Sequence, residues 1–207
     1  MHRGRARNWL RRPARRRTGI LRMRKVVVIN GARCLACKQC MIECAMAHSE
    51  ASTLAEAMSS DAPPQPRVHI EPVGQFGMPL QCRHCDDAPC VAICPTGAIR
   101  RVSDGGSVLL DQESCIGCKF CVAVCPFGAI ELSRDGAAMI KCDMCIERTE
   151  AGAPPACVAA CPTGALQFRE VDEWLGERRR RVAQQVLAAS GRANKVGSNT
   201  QDRPETG

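Results

Sequence analysis

Residues 115–125, CIGCKFCVAVC, place four thiols in eleven positions and are followed at once by Pro126. The device recurs along the chain. CLACKQCMIEC spans 34–44, CRHCDDAPCVAIC spans 82–94, and CDMC at 142–145 is completed by CVAAC at 157–161. Four blocks of four account for all 16 cysteines of the 207-residue chain, so no thiol is left for a separate role.

Thiols at this density form disulfides, hold zinc or hold iron-sulfur clusters. Disulfides imply an oxidising compartment and an export signal with an apolar stretch of roughly 7–15 residues. Here the longest N-terminal apolar run is VVVI at 26–29, and the pairs Arg11-Arg12 and Arg15-Arg16 are followed by no apolar segment. Structural zinc takes four ligands on one tetrahedral ion, usually from two separated pairs. CDMC with Cys157 and Cys161 fits that in isolation, but CxxCxxCxxxCP does not. Three thiolates at steps of three wrap one face of a cubane, and the fourth is carried off by the following turn and ligates the other cluster of a pair. Block three has this spacing without deviation. Block two has a four-residue spacer (DDAP) between Cys85 and Cys90, and block four has an eleven-residue one.

With blocks of this kind in this order, the segment from about 25 to 170 resembles the four-cluster, ferredoxin-like electron-transfer subunits of molybdopterin oxidoreductases, formate dehydrogenases, hydrogenases and carbon monoxide dehydrogenase. CxxCKxC, AHSE, RVHIEP and PLQCRHCDDAPC are most similar to the iron-sulfur protein of carbon monoxide dehydrogenase. The resemblance implies an α+β fold of two pseudo-symmetric ferredoxin-like dicluster halves, blocks one and four forming one half and blocks two and three the other. It also implies four 4Fe-4S clusters. Cluster one takes Cys34, Cys37 and Cys40 with Cys161; cluster two takes Cys82, Cys85 and Cys90 with Cys125. Cluster three takes Cys115, Cys118 and Cys121 with Cys94; cluster four takes Cys142, Cys145 and Cys157 with Cys44. Some relatives lose one cysteine of block three and hold a three-iron cluster there; this chain keeps Cys118.

A cluster with four cysteine ligands has no open iron for a substrate, so its chemistry is one-electron transfer. The expected protein is a non-catalytic component of an oxidoreductase complex, in the setting of anaerobic metabolism. It would carry electrons between a catalytic redox subunit and a second carrier or subunit. A transient role in maturing a metalloenzyme is the alternative from another class; a zinc-stapled module using a basic arm on nucleic acid is a third. The sequence contains no nucleophile with its base, no phosphate-cradling glycine loop and no flavin signature, and no catalytic residue is expected. His84 lies inside CRHC, but four cysteines already complete each ligand count, so packing or hydrogen bonding is the expected role for His84, His48 and His69. Lys38, Arg83, Lys119 and Lys141 adjoin ligands; they either offset cluster charge and raise local potentials or face solvent.

The net charge of +8 divides unevenly. Residues 1–22 hold nine arginines and no acid, which leaves 20 basic against 21 acidic residues, a net of −1, for 23–207. The body is therefore not a nucleic-acid-binding surface, and residues 1–22 read as a disordered basic extension. No run approaches the roughly 20 apolar residues that span a bilayer. The expected location is the cytoplasm, or the membrane periphery through a partner.

The elements that must position these thiols are short. KVVVIN (25–30), RVHIEPV (67–73), AIRRV (98–102), SVLLD (107–111), AIEL (129–132) and ALQF (165–168) read as strands between Gly, Pro and Asp. Helical turns are expected inside the cysteine blocks, as at 119–125, and SEASTLAEAM (49–58) is helix-prone. CP-x-GA-I/L occurs three times, at 94–99, 125–130 and 161–166, as a helix stop followed by a tight turn; block one lacks it, so its exit should differ. The cluster domain is expected over 23–170 and a helix over 171–189, with Trp174, Val182 and Val186 as packing residues and Arg178–Arg181 as a solvated face. A disordered tail completes the chain at 190–207.

Overall fold

The computed structural model describes residues 25–61, 63–102 and 106–190. The expectations for residues 1–22 and for the tail beyond 190 lie outside the described residues. The architecture is α+β, and among the described residues the strands pair only in twos. β1 (Lys25–Ile29) pairs with β8 (Leu166–Glu170), β2 (Val68–Val73) with β3 (Phe76–Gln81), β4 (Ile99–Arg101) with β5 (Val108–Leu110), and β6 (Ile130–Leu132) with β7 (Met139–Lys141). Three of these are antiparallel hairpins, with Val68 opposite Gln81, Ile99 opposite Leu110 and Ile130 opposite Lys141. An isolated two-stranded ribbon is marginal in water, so each must be held by what it packs on.

The buried residues show what that is. One cluster gathers Val27 of β1, Val68 of β2, Met144 and Leu166 of β8 around Cys40, Cys44 and Cys157. The other gathers Ile99, Val108, Ile130 and Met139, from β4 to β7, around Cys90 and Cys121. Thiols thus stand where a larger domain would place Phe or Leu. Phe76, Phe120 and Phe127 are exposed.

The helices beside the thiols are α1 (Gln39–Ala47), α3 (Pro89–Ala92), α4 (Phe120–Val124), α5 (Ile146–Glu150) and α6 (Ala156–Ala159). Most are one turn long, far below the length at which a helix stands alone. α1 packs on α6, and α3 on α4. Pro89 opens α3 at a position where its missing N–H costs nothing, and Pro155 caps α6.

One expectation shifts, and two strands appear that the sequence reading did not include. α2 starts only at Leu54 (Leu54–Ser59), because Thr53 and Glu56 form a reciprocal cap: the Glu56 N–H donates to Thr53 Oγ1 at 3.2 Å and the Ser52 N–H to Glu56 Oε2 at 2.8 Å. β3, whose Gly77 and Pro79 argue against a strand, pairs along its whole length with β2. In a two-stranded ribbon a proline's missing donor can face away from its partner. β7, three residues long, follows the turn at Gly136 and was not legible as a strand.

A second unit begins at Arg169, and its described residues hold α7 (Val171–Ala189). Arg169 pairs with Glu177 at 2.5 Å, and the Arg178 guanidinium lies 5.4 Å from the Trp174 ring centre. Arg178–Arg181 are exposed, as a solvated face should be. Val182 and Val186, expected to pack, are exposed as well, and Trp174 is only partly covered, by the arginine of its own helix. The apolar spacing was real, but among the described residues no side chain buries the two valines.

Candidate metal centres

Each cysteine block bends its backbone in the same way. The residue before the second cysteine is left-handed in all four: Ala36 (φ 55°), His84 (φ 50°), Gly117 (φ 66°) and Met144 (φ 61°). Lys38 and Lys119, just after the second cysteine of blocks one and three, are left-handed too. A non-glycine residue held there stores on the order of 1–3 kcal/mol, so the conformation must be fixed by its surroundings. Alternating handedness turns successive N–H groups toward one side and forms an anion-binding concavity. The N–H groups of His84 and Met144 donate to Cys82 Sγ and Cys142 Sγ, both at 3.4 Å. At Gly117 a side chain would be doubly excluded, because a Cβ would sit 3.2 Å from the Ala137 carbonyl oxygen.

The third cysteine of each block rides on a short helix: Cys40 on α1, Cys90 on α3, Cys121 on α4 and Cys157 on α6, all buried. The fourth cysteine differs as the sequence implied. Cys94, Cys125 and Cys161 each open a turn in which the glycine N–H returns to the cysteine carbonyl at 3.3 Å, with Gly97, Gly128 and Gly164 left-handed. Burial pushes the Cys94 and Cys161 thiols up, yet both end below the usual thiol range. The opposing cause is donors of the turn: the N–H groups of Thr96, Ala98 and Ile99 with the Thr96 hydroxyl for Cys94, and those of Thr163, Ala165 and Leu166 with the Thr163 hydroxyl for Cys161. Phe127 replaces the threonine after Cys125. Cys44 instead stays inside α1, one turn beyond Cys40, so the two thiols share a face.

Electrostatic neighbours show which thiols the fold brings together. Burial, followed by Cys161, Cys37 and Cys34, pushes Cys40 up to about 11. Cys90 is raised by burial, against the pull of Lys141, and then by Cys82 and Cys125. Cys121 rises to about 11 through burial and then Cys115, with Cys118 and Cys90 adding to it. Cys157 is driven up by burial, then by Cys44, Cys145 and Cys40, and Cys145 reaches about 11 through burial, Asp143 and Cys44. All 16 cysteines are free thiols. Groups of buried thiols that repel one another as thiolates suit a cation, since coordination removes the proton outright and supplies the missing positive charge.

A cavity tests the fit of a cluster directly. Cys82, Cys85, Cys90 and Cys125 all line it, with His84, Val108, Phe127 and Ile130. His84 is 1% exposed; its Nδ1 accepts from the Val108 N–H at 3.1 Å, so Nε2 carries the ring proton, and that buried donor has no acceptor among the described residues. An orphaned donor is costly unless a partner arrives, and a sulfur-rich anion in this cavity would supply one. The residues present fit a 4Fe-4S cluster here. Arg101 braces the loop by donating to the carbonyls of Cys85, Asp86 and Gly106.

Sequence reading missed the polar lock beside block four. Asp143 is buried and receives His48 Nε2 at 3.0 Å, Arg67 Nη1 at 2.8 Å and the Cys145 N–H at 2.9 Å. Burial pushes its carboxyl up, but His48 and Arg67 outweigh that and hold it well below the usual carboxylate range. Burial likewise lowers His48, and the Asp143 hydrogen bond overrides it to raise the imidazole to about 9. Arg67 also gives its N–H to Cys44 Sγ at 3.3 Å. His48, Asp143 and Cys145 lie close enough to hold an ion together, but His48, Arg67 and the Cys145 N–H already engage the carboxylate. The one available signal was an acid flanked by cysteines, in KCDMC. His69 also hydrogen-bonds rather than ligates, with Nε2 3.2 Å from Glu131 Oε1. Of the four cations beside ligands, Lys38 and Lys119 are exposed, and Arg83 lies 5.9 Å from the Phe127 ring centre. Lys141 is 3% exposed.

Known proteins resemble this chain in sequence. Residues 73–171, which contain blocks two to four, match the family described as 4Fe-4S dicluster domain. An iron-sulfur protein of Rhodospirillum rubrum is 38% identical over 161 residues, spanning 72% of this chain and 84% of that one. The thiosulfate reductase electron transfer subunit PhsB of Salmonella typhi is 36% identical over 172 residues, 80% of this chain and 88% of its own length. The B subunit of the anaerobic dimethyl sulfoxide reductase of Escherichia coli is 33% identical over 150 residues, 70% of this chain and 73% of its own length. None of these three names is a carbon monoxide dehydrogenase, so the finer resemblance gains no support from them. No helix among the described residues is long and apolar enough to cross a membrane. With cysteine loops of one geometry and relatives matched over most of their length, the chain belongs to the family of 4Fe-4S iron-sulfur proteins that serve as electron-transfer subunits of oxidoreductases.

Proposed function

We propose that the chain carries electrons one at a time through four 4Fe-4S clusters between a catalytic reductase subunit and a second redox partner. When bound, such clusters supply one-electron transfer with no open site for a substrate. Cys34, Cys37, Cys40 and Cys161 would hold the first, and Cys82, Cys85, Cys90 and Cys125 the second. Cys115, Cys118, Cys121 and Cys94 would hold the third, and Cys142, Cys145, Cys157 and Cys44 the fourth. The cavity lined by Cys82, Cys85, Cys90 and Cys125 supports the second set. The neighbours of Cys40, Cys121 and Cys157 support most of the others. Cys94 is assigned to the third set by resemblance.

The observation that carries the reading is the continuity of these sets. Cys157 feels Cys40, Cys121 feels Cys90, and Lys141 acts on both Cys90 and Cys142. The implied order is one, four, two, three. The two exposed ligands, Cys37 and Cys118, then fall in the terminal sets, beside exposed Leu35 in one case and exposed Ile116 and Phe120 in the other. Apolar surface at both ends of a buried series is what two docking partners require. The relatives named for thiosulfate and dimethyl sulfoxide reductases favour a reductase over a carbon monoxide dehydrogenase as the catalytic partner.

Anaerobic affinity purification from the native cells is the test. A catalytic reductase subunit should co-purify in stable stoichiometry, and adding its reduced product or oxidised substrate should change the visible absorbance of this chain within the complex. Binding only to a cofactor-free enzyme, with no such change, would transfer the chain to the maturation role.

A further inference from the structure

Lys141 closes β7 and is 3% exposed. Its ammonium donates to the Val108 carbonyl at 2.5 Å and to the Cys142 carbonyl at 2.7 Å. The other side of the Val108 residue is also engaged, because its N–H donates to His84 Nδ1 at 3.1 Å, and the His84 N–H donates to Cys82 Sγ at 3.4 Å. A polar path therefore runs from Cys82 through His84, Val108 and Lys141 to Cys142, from block two to block four.

Carbonyl dipoles alone do not repay the desolvation of a full charge; a buried cation needs negative charge close by. Val108, whose carbonyl holds the ammonium, lines the cavity with Cys82, Cys85, Cys90 and Cys125, and Cys142, whose carbonyl it also holds, is itself a candidate ligand; the two contacts are with the surroundings of two sulfur groups. These are different ligand sets. Reducing a cluster adds one negative charge without moving a proton, so a fixed cation between two clusters favours the reduced state of each.

We propose that Lys141 is a potential-setting residue shared by two clusters, the one held by Cys82, Cys85, Cys90 and Cys125 and the one held by Cys142, Cys145, Cys157 and Cys44. The proposal rests on the four-cluster reading above. It makes the step between the two halves the one over which a single side chain has control.

The test is potentiometric titration of the full chain, prepared anaerobically with its clusters and followed by electron paramagnetic resonance. In Lys141→Gln, which keeps a donor and loses the charge, two of the four clusters should titrate lower together. At a fixed potential their oxidised-to-reduced ratio should rise about tenfold, which is about 59 mV for a one-electron couple. The other two should not move. Lys141→Arg, which keeps the charge, should leave all four in place. Arg134→Gln, which removes an exposed cation from the same hairpin, should leave them too. A wild-type chain without clusters would defeat the functional reading itself. Four intact clusters with unmoved potentials in Lys141→Gln would overturn only the role of Lys141, as would equal shifts in the Arg variant. Loss of all clusters in both variants would also overturn it, by making Lys141 a folding residue.

Discussion

Cys125→Ala should empty or cripple the centre built by Cys82, Cys85 and Cys90, and leave the centre built by its own block standing. Within the sequence, Cys125 follows Cys115, Cys118 and Cys121 as closely as any fourth ligand could. In the fold it opens the turn after α4, lines the cavity with the three cysteines of block two, and is an electrostatic neighbour of Cys90. Anaerobically prepared Cys125→Ala should lose about a quarter of its iron, or less if a three-iron remnant survives. Its missing resonance should coincide with that missing in Cys90→Ala and differ from that missing in Cys121→Ala. Coincidence with Cys121→Ala instead would assign each block its own cluster and dissolve the interlocked pair.

Removing the iron should cost the chain its fold. The two buried clusters of side chains are small, and thiols fill central places in both. The described strands form only pairs, and α3 and α6 are four residues each. Neither kind of element persists alone. Ala36, His84 and Met144, left-handed before the second cysteine of their blocks, store strain that ligation must offset. Without metal the buried thiols return to neutral groups joined to other segments only by weak sulfur hydrogen bonds such as Arg67 N–H to Cys44 Sγ. Because a site absent from the unfolded chain makes metal-binding energy into folding energy, chelation under anaerobic conditions should abolish the cooperative thermal transition seen by circular dichroism. The apo chain should be digested by protease at once. A cooperative melt within a few degrees of the loaded protein would show that the side chains suffice.

The strands were legible where β-branched residues stood between turn formers, as in KVVVI, VLL and IEL, because local preference and burial agree there. β3 escaped because Gly77 and Pro79 are strand breakers by composition, and only pairing with β2 makes them a strand. The cysteines were legible by spacing alone, but the reach from one block to another was not. That reach depends on α1 packing against α6 and α3 against α4, contacts between segments far apart in sequence. For the same reason Asp143 and Lys141 looked like ordinary flanking charges. Their burial, and the partners that hold them, exist only once blocks one, two and four have met. The reading of His84 as a hydrogen-bonding residue holds, and the structure adds that one of its two nitrogens is still in want of an acceptor.

The most direct measurement is a count of iron and acid-labile sulfide in anaerobically purified protein, with the reduced protein's resonance spectrum taken on the same sample. Sixteen thiols arranged as four sets give about 16 iron and about 16 sulfide per chain, and interacting signals from neighbouring paramagnetic centres. A colourless protein carrying zinc, or one whose iron reaches only half that amount with a block of thiols freely alkylated, would contradict the account.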